Sequence, residues 1–293
     1  MKHIFNIAFY AALAAAAGLC GCASRLAPTD GEYASAAELP RLEALVFDSV
    51  GSTIYGQVLV PSSRFGDHRP CAILCHGFAG FTRWDDVAHD LCRAGIVVVI
   101  PHHRGAWGSE GEYTVSGCIC DAANLAAWAM SPETASKYGI DPAAVYLVGH
   151  SMGGNSVVNA AAQDCRVRGV VMIAPCDIGY MAESMTKDEL TSFLIGEGLH
   201  VLHRESDEAV VDDILANASA MRFVNAAKSF AGKSVFLATG MYDTVVPSVP
   251  LDEFWNALPA DARRIRKVYP ATHSLMGVRR DLATSLADFM LAK

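Results

Sequence analysis

VYLVGHSMGGNSVVNAAAQ, residues 145–163, decides how the rest of the chain is read. Val145 to Gly149 is a short run of apolar or small residues, the composition of a strand buried on both faces. Gly149-His150-Ser151-Met152-Gly153 is a G-x-S-x-G motif, and a helix-length run of small and apolar residues follows it. Strand, sharp turn and helix in that order form a nucleophile elbow, which forces Ser151 into a strained backbone and lifts its hydroxyl above the sheet. Gly149 and Gly153 have to be small because strand and helix nearly touch there. The bare motif is weak; its position at a strand-to-helix junction gives it weight.

Working outward, the same rhythm repeats on both sides. Residues 44–50 and 53–60 read as a hairpin around Gly51-Ser52. Residues 71–75 are a buried strand, and a helix over 84–94 is stopped by Gly95. Residues 96–100 are the most strand-like run, followed by a glycine-rich loop over 102–111 and a helix over 115–130. Asp141-Pro142 is expected to turn the chain into the elbow strand. Strands are then expected at 169–174, 235–239 and 265–269, with a helix over 249–257 and another at the C-terminus. Alternating short apolar strands and helices predict an α/β fold, a mostly parallel twisted sheet with helices on both faces. The rhythm breaks from Asp177 to Phe230. That stretch has no convincing strand, reads as helical near 181–195 and 206–228, and carries ten acidic against four basic residues. An excursion this long inside one domain is expected to be a helical lid.

The chain has 293 residues, 52% of them hydrophobic and 18% charged, enough for one large domain with a substantial core over residues 42–293. A formal net charge of −8 without a basic run argues against a nucleic-acid partner. Lys2 followed by the apolar run over 4–19 reads as an export signal over residues 1–22. Leu19-Cys20-Gly21-Cys22 resembles the lipobox of bacterial lipoproteins, which implies cleavage before Cys22, lipidation of Cys22 and a membrane anchor in the cell envelope. Ordinary cleavage near Gly21-Cys22-Ala23, giving a soluble secreted or periplasmic protein, is the alternative. Residues 23–41 read as a tether rich in Ala, Ser, Pro and Gly. Seven cysteines follow residue 22, an odd number, with no zinc-ligand spacing; buried free thiols are the expectation.

The chemistry starts from a serine that needs a base, and a base that needs an orienting acid. HGFAG at 76–80, RGAWGSEG at 104–111, GHSMGG at 149–154, the Asp243 loop and His273 together resemble the α/β-hydrolase superfamily over about residues 44–176 and 233–292. Within it, the elbow and the RGAWGSEG loop look like dienelactone-hydrolase-like esterases and prolyl-oligopeptidase-like peptidases. The resemblance implies partners in the order serine, acid, histidine. Asp243 and His273 fit that order, and each follows a strand at the same sheet edge as Ser151. The expected roles are Ser151 as nucleophile, His273 as base and Asp243 as orienting acid. Asp177, after another strand, is the competing acid. His150 is expected to point away across the elbow, and His89, His200 and His203 to lie at the surface or in the lid. The backbone N–H groups of Met152 and Phe78 are the expected oxyanion donors.

One departure stands out. The family's loop after the fourth strand opens D-x-R-G, where this chain has His102-His103-Arg104-Gly105. His102 is expected to replace the Asp that steadies the oxyanion loop. No metal is expected at His76, His102 and His103, because no acidic ligand is adjacent, and no cofactor is implied. The expectation is an exported serine hydrolase acting on small carboxylic esters through an acyl-enzyme. A peptidase acting on peptides and an inactive binding protein are the alternatives.

Overall fold

The computed structural model describes Tyr33 and residues 35–292. The export signal, Cys22 and most of the tether therefore lie outside the described residues. The first strand, β1 (Arg41–Ser49), opens at the last residue assigned to the tether and pairs antiparallel with β2 (Ser52–Val60). Their two-residue turn is Val50-Gly51, both at positive φ (55° and 76°), one position earlier than the sequence suggests. Two positive φ values make the type I′ geometry that matches strand twist.

β3 (Arg69–Cys75), β4 (Val97–Pro101), β5 (Ile140–His150), β6 (Gly169–Ile173), β7 (Ser234–Gly240) and β8 (Arg263–Tyr269) complete the sheet. Its order is β1-β2-β4-β3-β5-β6-β7-β8, antiparallel at the β1/β2 and β2/β4 pairings and parallel beyond. The α/β class is borne out.

Successive residues of the central strands feed opposite cores, as a period of two requires. Cys71, Ile73, Val145, Leu147, Val170 and Met172 face one cluster. Ala72, Leu74, Tyr146, Val148, Val171 and Ile173 face the other. That is why these strands read as unbroken apolar runs. α1 (Asp85–Arg93) and α10 (Arg279–Leu291) cover the second face, while α2 (Val115–Ala129) and α4 (Met152–Gln163) cover the first.

Asp141-Pro142 does not turn the chain: both residues lie inside β5, which starts at Ile140. The turn is made earlier by α3 (Pro132–Tyr138), which no apolar periodicity announces. Its caps do: Ser131 Oγ accepts from the Thr134 N–H, Pro132 sits in the first turn, and Gly139 closes the helix in the left-handed region.

Between β6 and β7 the chain is helical: α5 (Ile178–Ser184), α6 (Lys187–Gly196), α7 (Asp207–Met221) and α8 (Phe223–Ala226), with short 3₁₀ turns. These helices do not float over the sheet. Met181, Leu190, Leu194, Val210, Ile214 and Phe223 belong to the same buried cluster as the sheet's first face. A Thr186/Glu189 capping box starts α6. α9 (Val249–Ala257) follows β7, and its Phe254 packs against Phe223 and Phe230 at 5.9 and 5.5 Å between ring centroids.

Candidate active site

The elbow between β5 and α4 holds Ser151 at φ 53° and ψ −120°. This is a conformation that side-chain-bearing residues rarely occupy and that surrounding structure must enforce. Here the Ser151 N–H donates to the Ile173 carbonyl (3.0 Å), and the Ser151 carbonyl accepts from the Cys176 N–H (2.9 Å). The motif glycines have separate reasons. A Cβ on Gly149 would overlap the backbone of Gly153; one on Gly153 would overlap the carbonyls of Cys75 and His76 at the end of β3.

Asp243 and His273 come from the loops after β7 and β8 and meet: His273 Nδ1 donates to Asp243 Oδ2 at 2.9 Å. The Asp243 side chain is only 6% exposed. Burial pushes its pKa up, but hydrogen bonds from His273 and from the N–H groups of Val245 and Val246 outweigh it and hold the carboxyl below its usual range. Asp177, the competing acid, is committed elsewhere. Its Oδ1 accepts from the Tyr180 N–H (2.9 Å) as the N-cap of α5, and its Oδ2 accepts from the Phe223 N–H (3.0 Å).

Ser151 and His273 line one enclosed cavity of about 60 Å³. Phe78, Met152, Val115, Ile178, Phe193 and Leu194 supply most of its remaining wall, so α5 and α6 roof the site. No hydrogen bond links Ser151 Oγ to His273 among the described residues; such contacts commonly tighten only with substrate in place. The N–H groups of Phe78 and Met152 have no backbone acceptor among the described residues. Three larger clefts of about 560, 480 and 680 Å³ contain neither Ser151 nor His273.

His150 corrects the sequence reading. It does not point away: its ring lies 4.8 Å from that of His273, and its Nε2 sits 3.1 Å from the His273 carbonyl. A carbonyl only accepts, so Nε2 carries the proton. Burial first, and the neighbouring His273 next, push the His150 pKa down to about 3, so the ring is neutral. Period-two counting along β5 turns His150 away from Ser151, but the turn at Ser151 brings the His273 loop over the same spot. His89, His200 and His203 are exposed.

The His-His-Arg-Gly departure also resolves differently from expectation. His102 reaches the oxyanion loop only indirectly. Its Nε2 accepts from Arg83 Nη1 (3.1 Å), its Nδ1 donates to the Trp107 carbonyl (3.2 Å), and Trp107 Nε1 donates to the Gly80 carbonyl (2.8 Å). His103 makes the direct contact, donating from Nε2 to the His76 carbonyl (3.0 Å) while its N–H reaches His76 Nε2 (3.3 Å). Arg104 grips Asp121 of α2 in a bidentate pair (2.9 and 2.6 Å). All seven described cysteines are free thiols; Cys120 and Cys165 are exposed, against the expectation of burial.

The sequence profile of the alpha/beta hydrolase family matches residues 72–292, most of the chain and all of the site. The chain belongs to the alpha/beta hydrolase family. An uncharacterized 31.7 kDa protein in the traX-finO intergenic region of Escherichia coli is 33% identical over 133 residues. That match takes in 43% of this chain, and the chain spans 44% of that protein's length. The fold is shared with Est1E from Butyrivibrio proteoclasticus, solved with ferulic acid bound (TM-score 0.66, 18% identity, 85% of this chain and 98% of that one). It is also shared with acetyl xylan esterase 1 from Thermoanaerobacterium (TM-score 0.57, 20% identity, 86% and 89%). The Pyrococcus furiosus esterase Pf2001 is a third such structure (TM-score 0.61, 15% identity, 89% and 96%).

Proposed function

We propose that this hydrolase cleaves short-chain carboxylic esters through an acyl-enzyme on Ser151. The observation that carries the reading is the shared cavity. It holds a serine on a strained elbow and a histidine whose far nitrogen is hydrogen-bonded to a nearly buried aspartate. Asp243 accepts from His273 Nδ1, which leaves Nε2 as the acceptor for the serine proton. Ser151 Oγ attacks the ester carbon, and its proton passes to His273. The developing oxyanion is held by the N–H groups of Met152 and Phe78. The tetrahedral adduct collapses, the alcohol leaves with the proton from His273, and water reverses the sequence to release the acid.

Cavity size supports a short acyl group. About 60 Å³ is far below the roughly 300–1,000 Å³ of pockets that hold drug-sized ligands. A panel of p-nitrophenyl esters and aminoacyl-naphthylamides tests the assignment. Acetate and butanoate esters are expected to turn over fastest. Turnover of the amides alone would replace the esterase reading by a peptidase one, and turnover of neither would leave a binding protein. Export and lipidation at Cys22 belong to the same proposal: palmitate labelling is expected, and lost in Cys22→Ala, whereas an unlabelled wild type contradicts the anchor.

A further inference from the structure

One wall of the cavity is chemically out of place. Among mostly apolar neighbours it includes Glu197, the C-cap residue of α6. Glu197 is exposed at the cavity mouth, and no cation pairs with it among the described residues. The other acids nearby are spent: Asp243 on His273, Asp177 on two backbone N–H groups. Three of the insertion's four basic side chains are drawn elsewhere too, Lys187 to Asp212, Arg204 to Asp207, and Arg222 to Glu183 and Glu253.

Helix electrostatics makes the position more telling. A carboxylate at a helix C-terminus faces the negative end of the macrodipole and is unfavourable there. The last turn of α6 has no basic residue to offset it. The Glu197 N–H caps the helix by donating to the Phe193 carbonyl (3.0 Å), but its carboxylate does nothing for the helix. The next residue, Gly198, has φ 102° and lies so close to the oxyanion loop that a Cβ would meet the Phe81 ring at 2.8 Å and Ala79 at 3.4 Å. The backbone beside the carboxylate is thus seated against the loop that flanks the reacting carbonyl. Its field reaches the cavity floor: after burial and Asp177, the Asp243 and Glu197 carboxylates push the Cys176 thiol up.

We propose that Glu197 is a specificity-determining residue that selects esters bearing a cationic group, an ammonium or quaternary ammonium, close to the scissile carbonyl. The inference rests on the esterase reading and names its substrate class. The helix carbonyls and Glu197 act together as the negative wall, and the apolar lining receives the uncharged part of the substrate.

Two matched pairs test it and separate a cation on the alcohol from one on the acyl group. They are acetylcholine against its neutral carbon isostere, and the p-nitrophenyl ester of β-alanine against that of butanoate. The readout is the cationic-to-neutral ratio of kcat/KM. In at least one pair the wild-type ratio is expected to exceed that of Glu197→Gln by about fivefold, the effect of one partly screened ion pair. Glu197→Lys should drive the ratio lower still, and added salt should shrink the wild-type preference. Asp188→Asn, at the other end of α6, is expected to leave the ratio unchanged. Equal ratios in wild type and Glu197→Gln for both pairs overturn the inference while esterase activity stands. So does an Asp188→Asn loss as large as that of Glu197→Gln, since a diffuse acidic field would then suffice. If no ester in either pair is hydrolysed, the esterase reading itself fails and the inference falls with it.

Discussion

At the scale of single residues, the proposed chemistry depends on how tightly His273 is held. Asp243 fixes one nitrogen and His150 fixes the backbone, with a neutral ring as the donor. His150→Phe keeps the ring and removes that donor. It is expected to lower kcat about tenfold with little change in KM, the signature of a misplaced base rather than a lost substrate contact. The free Nδ1 of His150 gives no compensating contact, since it is buried without a partner. Asp243 also links stability to pH. Its folded-state pKa is depressed, so its contribution is present above the ordinary aspartate value of about 3.9 and is lost as pH falls through the folded value. The urea-midpoint gap between wild type and Asp243→Asn should therefore be constant near neutrality and close on acidification below about pH 4. A gap that widens in acid would contradict that sign. The turn at Ser151 and the meeting of Asp243 with His273 were legible in the sequence because each residue sits next to a strand end. The contact of His150 was not, because it depends on two loops 123 positions apart meeting over the elbow.

At the scale of elements, the sequence was clearest where burial is two-sided. Residues 71–75 of β3, and β4 and β6, are unbroken apolar runs because both neighbouring cores claim their side chains. β5 was legible only from Val145 onward; its first residues lie at a register irregularity against β3, where Pro142 is tolerated. α3 was missed because seven residues are too few to show a period, and only its caps mark it. The hairpin turn offers a clean test. Val50 is 75% exposed and holds φ 55°, a poor place for a β-branched residue. Val50→Asn creates the Asn-Gly pair that a type I′ turn favours, and is expected to stabilise by about 1 kcal/mol and raise Tm by about 2–4 °C. The Arg104–Asp121 pair predicts the opposite effect. Arg104→Met would leave Asp121, 2% exposed, without its partner and should cost about 3–5 kcal/mol in a urea melt. A loss under 1 kcal/mol would show that the pair does not hold the glycine-rich loop to α2.

At the scale of the molecule, the insertion is part of the domain's core rather than a cover laid upon it. Leu190, Leu194, Val210, Ile214, Met221 and Phe223 are all at most 2% exposed and share a cluster with Val145 and Leu147 of the elbow strand. Arg222 links its start, Asp177, to Glu253 of α9 beyond β7. That the 54 residues from 177 to 230 carry helices and no strand was legible, but their depth of packing was not. Helical apolar periodicity looks the same whether its partner is the sheet or a loose flap. Limited proteolysis should therefore give no early cut within α5 to α7, and the insertion should melt together with the sheet in one transition. Early release of an insertion fragment with the remainder still folded would show a detachable lid instead.

The central claim is that Ser151 forms a covalent acyl-type adduct. Intact-mass measurement after treatment with a fluorophosphonate tests it most directly. The wild type is expected to gain one phosphonyl group, mapped by peptide fragmentation to Ser151. Ser151→Ala is expected to gain none, and Asp243→Asn to react about 10³–10⁴-fold more slowly. An unmodified wild type, or equal labelling of Ser151→Ala, would contradict the account.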